Sequence, residues 1–137
     1  MTDLRTWAYR HAVYPLTDAL YRRNTFSAFR ELERLESLDG EALQAYRLGR
    51  LQELLRHCYD HVPLYRERFN AHGIRPEDCR TLEDIARFPL LTKDDMRTQE
   101  ERLRAPGDWG PIKTFATGGS TGTPLTIHED QGTNAWR

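Results

Sequence analysis

The stretch Thr114-Phe115-Ala116-Thr117-Gly118-Gly119-Ser120-Thr121-Gly122-Thr123-Pro124-Leu125-Thr126-Ile127 reads as strand, loop, strand. Its eight central positions, Thr117 to Pro124, hold three glycines and four hydroxyl residues. A short apolar run precedes them, and the alternation of Leu125 with Ile127 that follows has the period of a strand. Glycines let successive backbone N–H groups turn toward an anion with no Cβ in the way, and Ser and Thr hydroxyls add donors to phosphate oxygens. The loop is not a Walker A motif, since no Gly-Lys-Ser/Thr closes it, and it lacks the spacing of the dinucleotide fingerprint. Pro124 removes a backbone donor and favours an extended exit. Composition alone therefore leaves two readings open, a phosphate cradle and an ordinary hairpin loop rich in Gly, Ser and Thr.

Upstream of the loop the pattern is helical. Residues 1–23 mix aromatics with arginines, and Pro15 interrupts whatever helix begins there. The irregular spacing of Trp7, Tyr14, Leu20 and Tyr21 suits packing on the protein body better than a membrane surface. From Phe26 the residues Phe29, Leu32 and Leu35 follow three apart, and Asp39-Gly40 ends that segment. A stronger helix is expected from about Glu41 to His61, with Leu48, Leu51, Leu55, Cys58 and Val62 on a core face. Pro63 suits the first turn of a further helix, Tyr65 and Phe69 lie one turn apart on it, and Gly73 supplies its stop. Thr81 to Asp84 and Thr92 to Asp95 each resemble a capping box with Asp in place of Glu, so each predicts a short helix. Residues 105–111, rich in Pro and Gly, form a connector to the loop.

The totals bound what such a chain does. With 137 residues it can form one domain and bury about two-thirds of its unfolded surface. Hydrophobic residues make up 38%, charged residues 30% and the mean hydropathy is −0.77, which describes amphipathic elements rather than a deep core. A formal net charge of −1 supplies no global field for nucleic acid or an anionic membrane. The absence of a secretory h-region and of a long apolar run predicts neither export nor a membrane span. Two unpatterned cysteines, Cys58 and Cys79, suit a reducing cytoplasm.

The segment Leu51-Gln52-Glu53-Leu54-Leu55-Arg56-His57-Cys58-Tyr59-Asp60-His61-Val62-Pro63-Leu64-Tyr65-Arg66, the turn Gly73 to Asp78, and Leu82 to Arg97 stand in one order ahead of Thr117-Gly118-Gly119-Ser120-Thr121-Gly122-Thr123-Pro124. The last of these resembles the phosphate-binding signature of adenylate-forming enzymes. Together, over roughly residues 41 to 130, they resemble the N-terminal region of the phenylacetate-CoA ligase family, which includes ligase-like proteins associated with capsular polysaccharide synthesis. The chain is then expected to be mainly α, with a C-terminal strand–loop–strand, as the N-terminal part of the α/β adenylate-forming fold. Its expected divisions are a helical extension over 1–40, the helical N-terminal region over 41–111 and the start of the ATP-binding body over 112–137.

The resemblance implies activation of a carboxylic acid by ATP and Mg2+ through an acyl-adenylate, then transfer to coenzyme A. It implies that Thr117, Gly118, Gly119, Ser120, Thr121 and Gly122 hold the β- and γ-phosphates of ATP, with Ser120 and Thr121 as the main side-chain donors. Many relatives carry Lys before the proline; here Thr123 stands there, and Lys113 lies just upstream. No catalytic residue is assigned, because the resemblance implies that the acid pocket, the adenine pocket and a catalytic lysine lie beyond Arg137. Residues 1–137 are thus expected to be catalytically incompetent alone, and a helical layer lacking its partner surface would favour self-association. The alternative from another class is a helical interaction module that retains the front of a ligase with the loop idle.

Two other groupings each have a functional and a purely structural reading. His57 and His61 have zinc-binding helical spacing, but no third ligand is identifiable, and they read as polar-edge histidines flanking a buried Cys58. His128, Glu129 and Asp130 read as solvated residues leaving a strand rather than as an acid–base set.

Overall fold

The computed structural model describes residues 4–13, 15–16, 25–107, 110–117 and 124–130. They fall into two compact units, one drawn from 1–38, 109–115 and 127–137 and the other from 39–108 and 116–126. In the first unit α1, Leu4–Ala8, runs into a wider π-type turn, Tyr9–Val13, and α2 spans Thr25–Glu36. The helix expected from Phe26 forms, but Phe29 and Leu32 on it stay exposed while Ala28 is buried. A strict spacing of three drifts around a helix of 3.6 residues per turn, so those apolar residues do not share one face. Arg34 and Glu31 form a two-pronged ion pair at 2.7 and 2.9 Å along α2.

The second unit carries the main helical core. Asp39 opens α3, Gly40–His61, by accepting a hydrogen bond at 2.8 Å from the Ala42 N–H. Val62 leaves helical geometry at φ −110° and ψ 106°, as a residue ahead of proline is pressed to do. Pro63 then takes the first position of α4, Pro63–Ala71, where its missing N–H costs no bond. Arg66 returns to the break, donating from Nε to the Tyr59 carbonyl at 2.8 Å and from Nη2 to the Asp60 carbonyl. These bonds satisfy carbonyls that the end of α3 leaves without helical partners. Gly73, at φ +62°, closes α4. Ile74 N–H donates to the Phe69 carbonyl at 3.0 Å and Gly73 N–H to that of Asn70 at 3.1 Å. This is the paired ending that needs a left-handed residue, which glycine adopts without Cβ strain.

Leu55, Phe69, Ile74, Cys79 and Phe88 form the buried cluster, flanked by Leu48, Leu51, Tyr59 and Tyr65. Phe69 is its centre, with ring centroids 5.1 Å from Phe88, 6.0 Å from Tyr65 and 6.2 Å from Tyr59. Cys58, expected to be buried, is half-buried, whereas Cys79 is fully enclosed. The Gln52 side chain donates to the Cys79 carbonyl at 2.7 Å and so ties the loop after Pro76–Asp78 to α3.

The two Thr-x-x-Asp starts diverge. Thr92 forms a capping box with Asp95 and opens α5, Lys93–Thr98. Asp84 instead accepts from the N–H groups of Arg80 and Thr81 and from the Thr81 hydroxyl, and Glu83–Arg87 is a 3-10 turn rather than an α-helix. The Asp84 amide donates to the Thr81 backbone carbonyl at 3.3 Å, whereas the Asp95 amide donates to the Thr92 hydroxyl as in an α-helical cap. Arg68 of α4 spans the Leu90 carbonyl, at 2.7 Å, and the Asp95 carboxylate, fastening the start of α5 to the core helices. Thr92 hydroxyl and Arg68 guanidinium bonds hold the Asp95 pKa down at about 2. A further 3-10 turn, Glu100–Leu103, precedes the strands.

Candidate functional site

The expected strand–loop–strand is present as an antiparallel pair, β1 Lys113–Ala116 and β2 Thr126–Glu129. Thr117 and Leu125 close its loop end. The Thr117 N–H donates to the Leu125 carbonyl at 2.9 Å, and the Leu125 N–H donates to the Thr117 hydroxyl oxygen, also at 2.9 Å. Three residues further along each strand, Thr114 Oγ1 lies 3.1 Å from His128 Nδ1 in the same antiparallel register. The glycine-rich segment therefore leaves and re-enters the chain at a pinned hairpin base whose flanking residues Ala116, Thr117 and Pro124 are exposed.

Of the candidate phosphate ligands, Thr117 is placed at that base, while Gly118, Gly119, Ser120, Thr121 and Gly122 lie outside the described residues. Thr117 keeps its hydroxyl proton for a further acceptor, because its bond to Leu125 uses only an oxygen lone pair. Lys113 begins β1 and is exposed. Glu129, read from the sequence as solvated, is buried at 5% exposure. It stands within β2 rather than beyond it, so the strand and not the exit sets its surroundings.

The His57 and His61 rings lie 5.0 Å apart on α3. Among the described residues no group of three or more His, Cys, Asp or Glu side chains gathers as a metal site, and no helix there is long and apolar enough to cross a membrane. Burial raises the Cys58 thiol pKa, and burial followed by the Asp84 charge raises that of Cys79, so neither is set up as a ready thiolate nucleophile. Leu125 as the partner of Thr117 was not legible in advance. A backbone amide carries no side-chain signature, and the register was the missing datum.

No protein-family model matches the chain. Comparison with curated proteins finds 36% identity over 107 residues with a phenylacetate-coenzyme A ligase of Pseudomonas putida, covering 77% of this chain and 24% of that protein. The phenylacetate-coenzyme A ligase of Escherichia coli (strain K12) is 34% identical over 99 residues, covering 71% of this chain and 22% of that protein. Over about seven-tenths of its length the chain is similar to curated phenylacetate-coenzyme A ligases. A Thermus thermophilus ligase of the same name is 34% identical over 94 residues, so the similarity extends to a thermophile. The chain spans about a quarter of the length of the curated ligases it matches. Its mainly helical structure with one strand pair agrees with an N-terminal part of an adenylate-forming enzyme.

Proposed function

We propose that this chain supplies the first ATP-phosphate loop of an acid–CoA ligase. In the reaction, a carboxylate oxygen attacks the α-phosphorus of ATP, the bond from that phosphorus to the bridging oxygen breaks, and pyrophosphate leaves an acyl-adenylate. The thiol sulfur of coenzyme A then attacks the acyl carbon, AMP departs and the thiol proton passes to solvent. Residues 117–122 act on the first step. The N–H groups of residues 118–122, with the hydroxyls of Ser120 and Thr121, offset the charge that gathers on pyrophosphate, and preorganised donors do so without rearranging during bond cleavage; the Thr117 N–H is taken by the Leu125 carbonyl. Mg2+ accompanies the nucleotide phosphates, and a small carboxylic acid is the second substrate.

The observation that carries this reading is the pinned base formed by Thr117 and Leu125, which opens the Gly- and hydroxyl-rich segment at an exposed hairpin end. The relationship to phenylacetate-coenzyme A ligases supports it. No residue of the chain is assigned to the acid or adenine pocket. Residues 1–137 alone are accordingly proposed to hold one end of ATP without turnover, and pyrophosphate release above a heat-killed control would contradict that part.

Binding is tested by thermal unfolding with Mg-ATP. A Kd of ~1 mM at ~10 mM ligand raises stability by about 1.4 kcal/mol through mass action. The Thr121→Ala protein should lose most of that rise. An unchanged melting temperature, or an equal rise in the variant, removes the nucleotide reading.

A further inference from the structure

We infer that Tyr59, Arg66, Asn70 and Arg75 form a binding subsite for a phosphate-type oxyanion on the helical core, and the subsite uses no part of the glycine-rich loop. Tyr59 anchors the group. Its ring stacks on the buried Phe69 at 6.2 Å between centroids, and the guanidinium carbons of Arg75 and Arg66 stand 5.0 and 6.0 Å from the Tyr59 centroid. The face of an aromatic ring attracts a cation, so each contact helps to hold a guanidinium in place. Two like charges over one ring also repel each other, which a neighbouring carboxylate would offset. Among the described residues neither guanidinium has such an ion-pair partner. Glu67 pairs with Arg102, the Asp78 carboxylate accepts from the Arg75 backbone N–H at 2.8 Å, and Asp60 meets Arg66 through its backbone carbonyl.

The hydrogen bonds make the group rich in donors. Asn70 Oδ1 accepts from the Tyr59 hydroxyl at 3.1 Å and from Arg75 Nη1 at 2.8 Å. Those bonds use both lone pairs of that oxygen, so the Asn70 amide has only its NH2 donors left to offer. Arg66 Nε and Nη2 are committed to the carbonyls of Tyr59 and Asp60, which fixes the plane of that guanidinium. Capping of α3 accounts for those two bonds of Arg66, but not for the charge of Arg75. Most N–H donors of both guanidiniums are left over, and Arg66, Asn70 and Arg75 are all exposed. Because ring contacts and hydrogen bonds already order these side chains, an anion that joins them costs little rotamer freedom. Phosphate suits the group better than a carboxylate. Its tetrahedral oxygens can accept from two guanidiniums that approach from different directions, whereas a flat carboxylate is matched by one fork.

NMR on the full 137-residue chain tests the subsite by following the Arg Nε–H and Asn side-chain signals as inorganic phosphate is added at neutral pH and constant ionic strength. The signals of Arg66, Asn70 and Arg75 should shift together and saturate, with a midpoint of about 1 to 10 mM. Arg50, whose guanidinium is paired with Glu53 on α3, is the internal control and should stay still. Asn70→Asp keeps an acceptor for Tyr59 and Arg75 while adding a negative charge, and should raise the midpoint by about 10-fold. Arg75→Gln removes one cation and should raise it by about 5-fold, with unchanged amide shifts at Ile74 and Phe88 showing that the core is kept. Acetate at the same ionic strength should bind about 5-fold more weakly than phosphate. Methyl phosphate separates the two sources of this chemistry: binding equal to that of inorganic phosphate assigns a phosphate ester as well, and loss of binding confines the subsite to the free ion. Shifts that grow without saturating, that appear equally at Arg50, or that keep their midpoint in Asn70→Asp overturn the subsite. Acetate binding as tightly as phosphate overturns the ligand class.

Discussion

Replacing Phe69 by Ala tests whether the helical core is organised around one ring. Phe69 is 1% exposed, and three aromatic rings surround it, with Phe88 nearest at 5.1 Å between centroids and edge-on. Burying a Phe side chain contributes roughly 1.5 to 3 kcal/mol by transfer from water. The cavity left on truncation adds to that, giving about 3 to 5 kcal/mol for Phe→Ala in a filled core. Edge-to-face pairs supply about 0.5 to 1.5 kcal/mol of the total. A chain of 137 residues has a stability of roughly 7 to 15 kcal/mol, so the substitution removes a large fraction of it. With an unfolding entropy of ~2.1 cal/mol/K per residue, the melting temperature should fall by about 10 to 17 °C. Urea unfolding followed by circular dichroism gives the free energy, and a Phe69→Leu, Phe88→Leu double-mutant cycle isolates the ring pair. As a surface control, Leu90→Ser should change stability by less than about 0.5 kcal/mol, because Leu90 is 85% exposed. A loss below about 1 kcal/mol for Phe69→Ala would refute the idea that this ring centres the core.

Three further outcomes follow from local geometry. Asp95 has its pKa lowered to about 2 by Thr92 and Arg68, so its stabilising contribution is complete above the unfolded carboxylate value near ~3.9 and is lost as pH falls toward 2; the urea midpoint should drop over that interval, and Asp95→Asn should flatten the slope. Gly73→Ala should destabilise by about 1 to 2 kcal/mol in chemical denaturation, since φ is +62° and the space around it is open, leaving backbone strain as the sole cost. Gly49→Ala, inside α3 with nothing within 4 Å of the added Cβ, should do the reverse and stabilise by about 0.5 to 1 kcal/mol.

Much of the helical framework was legible because its signals act over a few residues. Thr92 accepts a backbone bond three residues on, Pro63 sets its own φ, and Gly73 takes the left-handed conformation that ends α4; Asp39, read only as the end of the preceding segment, also caps α3. The Gly and hydroxyl composition of Thr117 to Gly122, on which the proposed anion contact rests, is equally local. The failures were of another kind. Periodicity on α2 showed a helix without showing that Ala28, not Phe29 or Leu32, would be buried. The hydroxyl of Thr81 signalled an α-helical cap, yet the Asp84 amide bonds the Thr81 carbonyl instead and Glu83–Arg87 is a 3-10 turn.

The sequence by itself determined where helices start and stop, because capping and proline or glycine geometry are settled within one or two turns of chain. It also determined the composition of the phosphate-type loop and the resemblance that gives it meaning. Tertiary structure alone decided that Cys79 lies in the core, that Arg68 reaches Asp95 across 27 residues, and that the Thr117 hydroxyl meets the Leu125 amide. Such pairings depend on helix packing and strand register, where a small shift changes every partner, and residue type alone does not encode which distant groups meet.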